Sequence, residues 1–190
     1  MRILGIDPGS RKVGFGVIDI VGTQRQMLHV EHGVMRLNDK QDLVMRIQEL
    51  AQRLQKMLSE IKPNYVALED IFMGENVRSA LILGQARGAV LATLGLGNIS
   101  VVNLSATTVK LAVTGTGRAT KDQVGKMVQA ILKLEKKPAE DAGDALALAI
   151  CYGQQCFRPQ LISSSPAPKR LSRNEKQKAL YDLAVAQGKI

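Results

Sequence analysis

Two short apolar runs in this chain each end on a carboxylate. Ile3-Leu4-Gly5-Ile6 runs into Asp7, and Tyr65-Val66-Ala67-Leu68 runs into Glu69. Between them Leu43, Ile47, Leu50, Leu54, Met57, Leu58 and Ile61 recur at helical spacing, and Pro63 closes that helix. A strand, a crossover helix and a second strand fit a parallel pair. The ends of parallel neighbours lie side by side, so the two carboxylates meet at one edge of a sheet.

The rest of the pattern completes that sheet. Asp7-Pro8-Gly9-Ser10 is a turn, Val13–Ile20 alternates as a second strand, and Met27–Leu37 continues as a third. Val77–Leu96 reads as a long Gly- and Ala-rich helix, and Ile99–Val102 as a fifth strand. A short helix over Ala106–Val113, a glycine-rich loop TGTGRATK, and helices over Lys121–Leu134 and Ala139–Gln155 follow. Three strands in a meander, then alternating helices and strands, give an α/β fold: a five-stranded mixed sheet flanked by helices.

Near the end of this unit stands EDAGDALALAI, Glu140 to Ile150. Carboxylates in a first helical turn offset the positive end of the helix dipole. Asp141 and Asp144 are three apart, however, and share one side of a helix that is otherwise apolar. Like charges at the edge of a core repel, and burial makes that costlier. Brought to the edge that carries Asp7 and Glu69, they make four converging carboxylates with no imidazole or thiolate, which is the chemistry of a Mg²⁺ or Mn²⁺ site. Two such ions clamp the attacking and leaving oxygens in phosphodiester cleavage. Singly, each carboxylate has a plainer use: Asp7 as a turn residue, Glu69 as a strand exit, Asp141 as a helix cap. The joint arrangement is harder to explain that way.

Charge agrees with a polyanionic partner. The 190 residues carry 26 Lys and Arg against 17 Asp and Glu, a net +9. With three Phe, three Tyr and no Trp, stacking on single strands is a minor contribution, so phosphates and shape dominate. His29 and His32 are the only histidines, and on a regular strand they face opposite ways, which argues against a histidine metal site. Cys151 and Cys156, five apart, form neither a redox CxxC nor half a zinc site, and fit a reducing cytoplasm. The start MRILGID lacks the features of a signal peptide. The apolar stretch Ala86–Leu96 is too short to span a bilayer, so no membrane partner is expected. Residues 1–157 read as one folded domain that carries this site. Residues 158–190 read as a Ser/Pro-rich linker and a basic, mobile tail, with six basic and two acidic residues from 163 onwards.

Four blocks, ILGIDPGSRKVGFGVID, ALEDIFMGENVRSALILGQARG, VKLAVTGTGRATKDQV and DAGDALALAI, resemble the successive signatures of the RuvC family of Holliday junction resolvases. The resemblance runs from Met1 to Phe157. It implies an RNase H-like fold, of the retroviral integrase superfamily, and a homodimer that cuts opposed strands of a four-way DNA junction using Mg²⁺. It places the acidic tetrad on Asp7, Glu69, Asp141 and Asp144, a junction-side aromatic on Phe72, and two active-site lysines on Lys110 and Lys121. It also implies a branch-migration motor of the RuvA–RuvB type as partner. Asn76, Arg78 and Arg118 are further candidates for DNA contact, Arg118 from the glycine-rich loop. Glu75 is acidic where a DNA-facing loop favours a basic residue, and nothing in 158–190 matches the family.

Two other classes stay in view. A sugar kinase-like phosphotransferase also opens on a strand and a GID turn, but needs a second domain with a second phosphate loop. A module that binds branched DNA without cutting it shares the charge, yet has no reason to bear the repulsion of four carboxylates.

Overall fold

The computed structural model describes residues 1–70 and 77–157. Three strands come first: β1 (Arg2–Pro8), β2 (Lys12–Val21) and β3 (Gln26–Arg36). Then follow α1 (Leu43–Ile61), β4 (Tyr65–Glu69), α2 (Val77–Leu96), β5 (Ser100–Leu104), α3 (Ala106–Thr114), α4 (Lys121–Leu132) and α5 (Glu140–Phe157). The strands lie in the order β3-β2-β1-β4-β5. β1 is antiparallel to β2 and β2 to β3, while β1–β4 and β4–β5 are parallel. This is the expected five-stranded mixed sheet.

Local chemistry sets the element ends. The Asp42 carboxylate accepts from the Met45 N–H and starts α1, and Lys62, in the left-handed region at φ 49°, ends it just before Pro63. In α4 the Thr120 and Gln123 side chains form a reciprocal capping box. The α1 stripe Leu50, Leu54 and Leu58 is buried at i, i+4 spacing.

Each face of the sheet has its own core. On one, Leu4, Ile6, Val13, Val17, Val66 and Leu68 meet α1 and the buried α2 residues Ala86, Val90 and Leu94. On the other, Ile3, Ile18, Ile20 and Ala67 meet α3, α4 and the almost continuous apolar run of α5 from Ala145 to Cys151. α5 sits nearly on the backbone of the sheet. A Cβ built on Gly5 would lie 1.9 Å from the Ala145 carbonyl oxygen, and one on Gly14 would lie 1.9 Å from that of Asp141. Only glycine permits this approach.

Two expectations are corrected. A register shift between Val17 and Ile18 leaves Val30 of β3 without a partner in the ladder, so His29 and His32 both fall opposite residues of the α5 face. Their rings meet edge-on, with His29 Nε2 2.7 Å from His32 Nδ1. The apolar segment around Ala86–Leu96 is also longer than its second half suggested. The whole of α2, 20 residues, is long and apolar enough to cross a membrane by length and composition. The first half adds Val77, Ala80, Leu81, Ile82 and Leu83 without a break in the helix.

Candidate active site

β1 and β4 end together, with Ile6 opposite Leu68 in the parallel register. Asp7 and Glu69 therefore leave adjacent strands at one edge, and alternation along the strands from Ile3 and Ala67 puts both on the face that α5 covers. The fourth residue of α5 after Glu140 is Asp144, and it reaches the same place. Asp7, Glu69 and Asp144 line one cavity of about 270 Å³, together with Lys110 of α3, Lys121 of α4 and the apolar side chains Val109, Val124, Ala147 and Leu148.

The electrostatics are those of crowded acids. Burial first, then Asp144, Glu69 and Asp141, push the Asp7 carboxyl up to about 7, against the opposing pull of Lys121. Glu69 is raised by burial and then by Asp144, opposed by Lys121, Lys110 and Arg87. Asp144 is raised by burial, while Lys121 works the other way. Lys121 supplies the resident positive charge. Its Nζ lies 2.6 Å from Glu140 Oε1 and 3.5 Å from Asp144 Oδ2, and the bond to Glu140 is the chief reason its own pKa is raised.

The sequence-derived residues separate into four groups. Asp7, Glu69, Asp144, Lys110 and Lys121 are brought together in the cavity. Asp141 stands beside it, half-buried in the first turn of α5, and acts on Asp7 and Asp144 through its charge. Arg118 and Arg78 are exposed and outside the cavity lining. Phe72 and Asn76 lie outside the described residues. Two groups were not anticipated. One is Glu140, whose grip on Lys121 follows from its place in the first turn. The other is Arg87, a charged residue on the buried stripe of α2, which donates to the Glu69 carbonyl oxygen.

The oxygen-only donor set fits a hard divalent cation. Among the described residues no three His, Cys, Asp or Glu side chains are drawn into a closed ligand set.

The family model described as "Crossover junction endodeoxyribonuclease RuvC" matches residues 3–152. A crossover junction endodeoxyribonuclease RuvC of Magnetococcus marinus is 42% identical over 155 residues, covering 82% of this chain and 85% of that protein. One from Polynucleobacter asymbioticus is 42% identical over 174 residues, covering 91% and 100%. Among solved structures, Thermus thermophilus RuvC superposes with a TM-score of 0.75 at 29% identity, covering 83% of this chain and 96% of that one. The same protein in complex with a Holliday junction substrate gives 0.74 at 26% identity. The yeast mitochondrial Holliday junction resolvase Ydc2, at 13% identity and a TM-score of 0.59, shares the fold. The expected RNase H-like architecture and the resemblance read from four sequence blocks are therefore both met, and the chain belongs to the RuvC family.

Proposed function

We propose that this protein is a structure-selective endodeoxyribonuclease that resolves four-way DNA junctions during recombination and repair. One observation carries the reading: in a chain of the RuvC family, carboxylates from β1, β4 and α5 converge with two lysines on one cavity.

Asp7, Glu69 and Asp144, with Asp141 beside them, would hold Mg²⁺, as two ions, with Mn²⁺ able to substitute. Bound metal supplies an activated water and neutralises charge on the phosphorus-bound oxygens. The protein's own groups do the rest. The apolar walls Val109, Val124, Ala147 and Leu148 lower the local dielectric and limit the access of bulk water. Lys110 and Lys121 place positive charge where the scissile phosphate enters. Phosphate arrival gives Lys121 a third anionic partner beside Glu140 and Asp144, so it stays protonated throughout. Hydrolysis leaves 5′-phosphate and 3′-hydroxyl ends. Arg78 and Arg118 are proposed to bind the duplex arms, and Phe72 and Asn76 the crossover point.

Symmetric cuts need two sites related by a twofold axis, which a homodimer supplies. α2 is suited to the seam. Val77, Leu81, Leu91 and Leu96 are exposed along it, and Gly84 and Gly88 have open space where side chains would stand. A motor of the RuvA–RuvB type would then present the junction, in the cytoplasm where the DNA lies. The free thiols Cys151 and Cys156 accord with that compartment.

The test is to incubate the protein with a synthetic four-way junction and with linear duplex, each with and without Mg²⁺. Paired nicks in the junction alone, and only with Mg²⁺, are expected. Equal cutting of linear duplex would remove the structure selectivity, and cutting in a chelator would remove the metal.

A further inference from the structure

Arg87 is the one buried polar or charged side chain among the described residues, 9% exposed. It stands on the stripe of α2 that Ala86, Val90 and Leu94 bury against the sheet. Packing alone calls for an apolar residue there, because a buried guanidinium adds nothing that a well-fitted Leu or Met would not. Its partners explain its presence. Nη1 donates to the backbone carbonyl of Glu69, Nη2 donates to Asn103 Oδ1 at 2.6 Å, and Nη2 lies 3.7 Å from Asp70 Oδ1.

All three partners sit where β4 and β5 end. Leu68 is paired with Asn103 and Glu69 with Leu104, and the Asp70 N–H adds one more bond to the Leu104 carbonyl at 2.8 Å. One planar fork thus binds two neighbouring strand ends at fixed angles, which a flexible lysine ammonium does not do. The approach is also one-sided. Arg87 comes from the α2 face and takes the carbonyl of Glu69, leaving its carboxylate to the cavity on the other face. An arginine bonded to the carboxylate itself would compete with any cation bound there.

We infer that Arg87 is a positioning residue for cleavage, fixing the backbone that aims Glu69 into the site; this rests on the endonuclease reading above. Residues that orient metal-binding side chains are worth about 10- to 100-fold in metal affinity or activity.

The test uses the full chain. Arg87→Leu should melt within a few degrees of the wild type, or above it. Its kcat on a four-way junction should fall about 10- to 100-fold, with the KM for the junction unchanged to about twofold. Its affinity for Mn²⁺, read without DNA from paramagnetic relaxation of water protons, should weaken by a similar factor. Arg87→Lys should fall between the two. A folded Arg87→Leu with wild-type kcat and wild-type Mn²⁺ affinity would overturn the inference. Should Arg87→Leu fail to fold, Asn103→Ala removes one fork partner from an exposed position. A several-fold loss of kcat at constant melting temperature then supports the role, and full activity overturns it. A wild type that cuts no junction refutes the endonuclease reading instead, while the Mn²⁺ measurement still reads Arg87 directly.

Discussion

α5 and α2 are alike on paper and opposite in the structure. Both are long, apolar and rich in small residues, 18 and 20 residues respectively. α5 is buried from Ala142 to Cys151 except at the half-buried Asp144, and its backbone presses on Gly5 and Gly14 of the sheet. α2 buries one narrow stripe and leaves Leu81 63% and Leu96 88% exposed, with no described residue within contact of a Cβ at Gly84 or Gly88. Glycines in the sheet let α5 come closer to it, whereas glycines in α2 face outward and make room for something else. The first helix completes the carboxylate-lined cavity; the second offers a surface.

The sharpest break in the comparison comes from the α5 side. Asp144→Asn should cut the nicking rate by about 1,000-fold or more, since loss of one ligand from the proposed metal site costs several kcal/mol of transition-state stabilisation. Junction binding, measured by gel shift, should survive. No single substitution on the exposed face of α2 should reach that loss of chemistry per assembled dimer.

Gly14→Ala comes next. Its Cβ would collide with the Asp141 carbonyl oxygen, so the start of α5 must move. Overpacking of this kind costs about 1–3 kcal/mol, and denaturant melts should show it, with nicking reduced as Asp141 and Asp144 shift. A melt like that of the wild type would mean that the seam is looser than it looks.

On the α2 side, Leu81→Glu should dissociate the proposed dimer while leaving the fold intact. An apolar residue central to an interface is worth about 2 kcal/mol, roughly 30-fold in dissociation constant. Sedimentation across a concentration series reads this directly. An unchanged dimer would take α2 out of the interface.

The cavity also has a pH signature that α2 lacks. Asp7 is raised to about 7 in the folded protein, above the ordinary carboxylate value near 4. The folded state therefore holds a proton that the unfolded state releases between those values. Stability of the metal-free protein should fall as pH rises from about 4 to about 7 and then level off. Thermal melts in chelator should show this slope, and saturating Mg²⁺ should reduce it.

The smallest effect belongs to Gly88→Ala. The substitution meets nothing within 4 Å, and helix propensity alone favours it by about 1 kcal/mol. The isolated chain should gain that stability while the dimer weakens slightly. A stronger dimer would show that no second backbone approaches there.

The two helices also mark how far the sequence could be read. α1 was legible because its apolar residues recur at clean helical spacing, and it falls at Leu43–Ile61; α2 was read from its length and its Gly- and Ala-rich apolar composition, and falls at Val77–Leu96. The meeting of Asp7, Glu69 and Asp144 was legible because strand ends and an i, i+3 pair are local patterns that topology then brings together. The relation of His29 to His32 was not, because one unpaired residue in β3 inverts the alternation and nothing in the sequence marks where it falls. Asp141 shows a similar limit. Its spacing from Asp144 gave the shared side of the helix but not which of the two lines the cavity. Arg87 sits within an apolar run, and only the positions of the Glu69 carbonyl and Asn103 give it a purpose.

The placement of α5 has a consequence for how this protein is made. Asp7 leaves the ribosome long before Asp144, which belongs to the last helix of the described residues. A nascent chain ending before Glu140 has its β-hairpin, crossover helices and both strand-end carboxylates, but one face of its sheet has no central helix to cover it. Synthesis runs at about 5–20 residues per second, so that face waits exposed for seconds while the chain grows. Completion of the core and completion of the cutting site are then a single late event. An unfinished chain has no nuclease to release into a cell full of DNA.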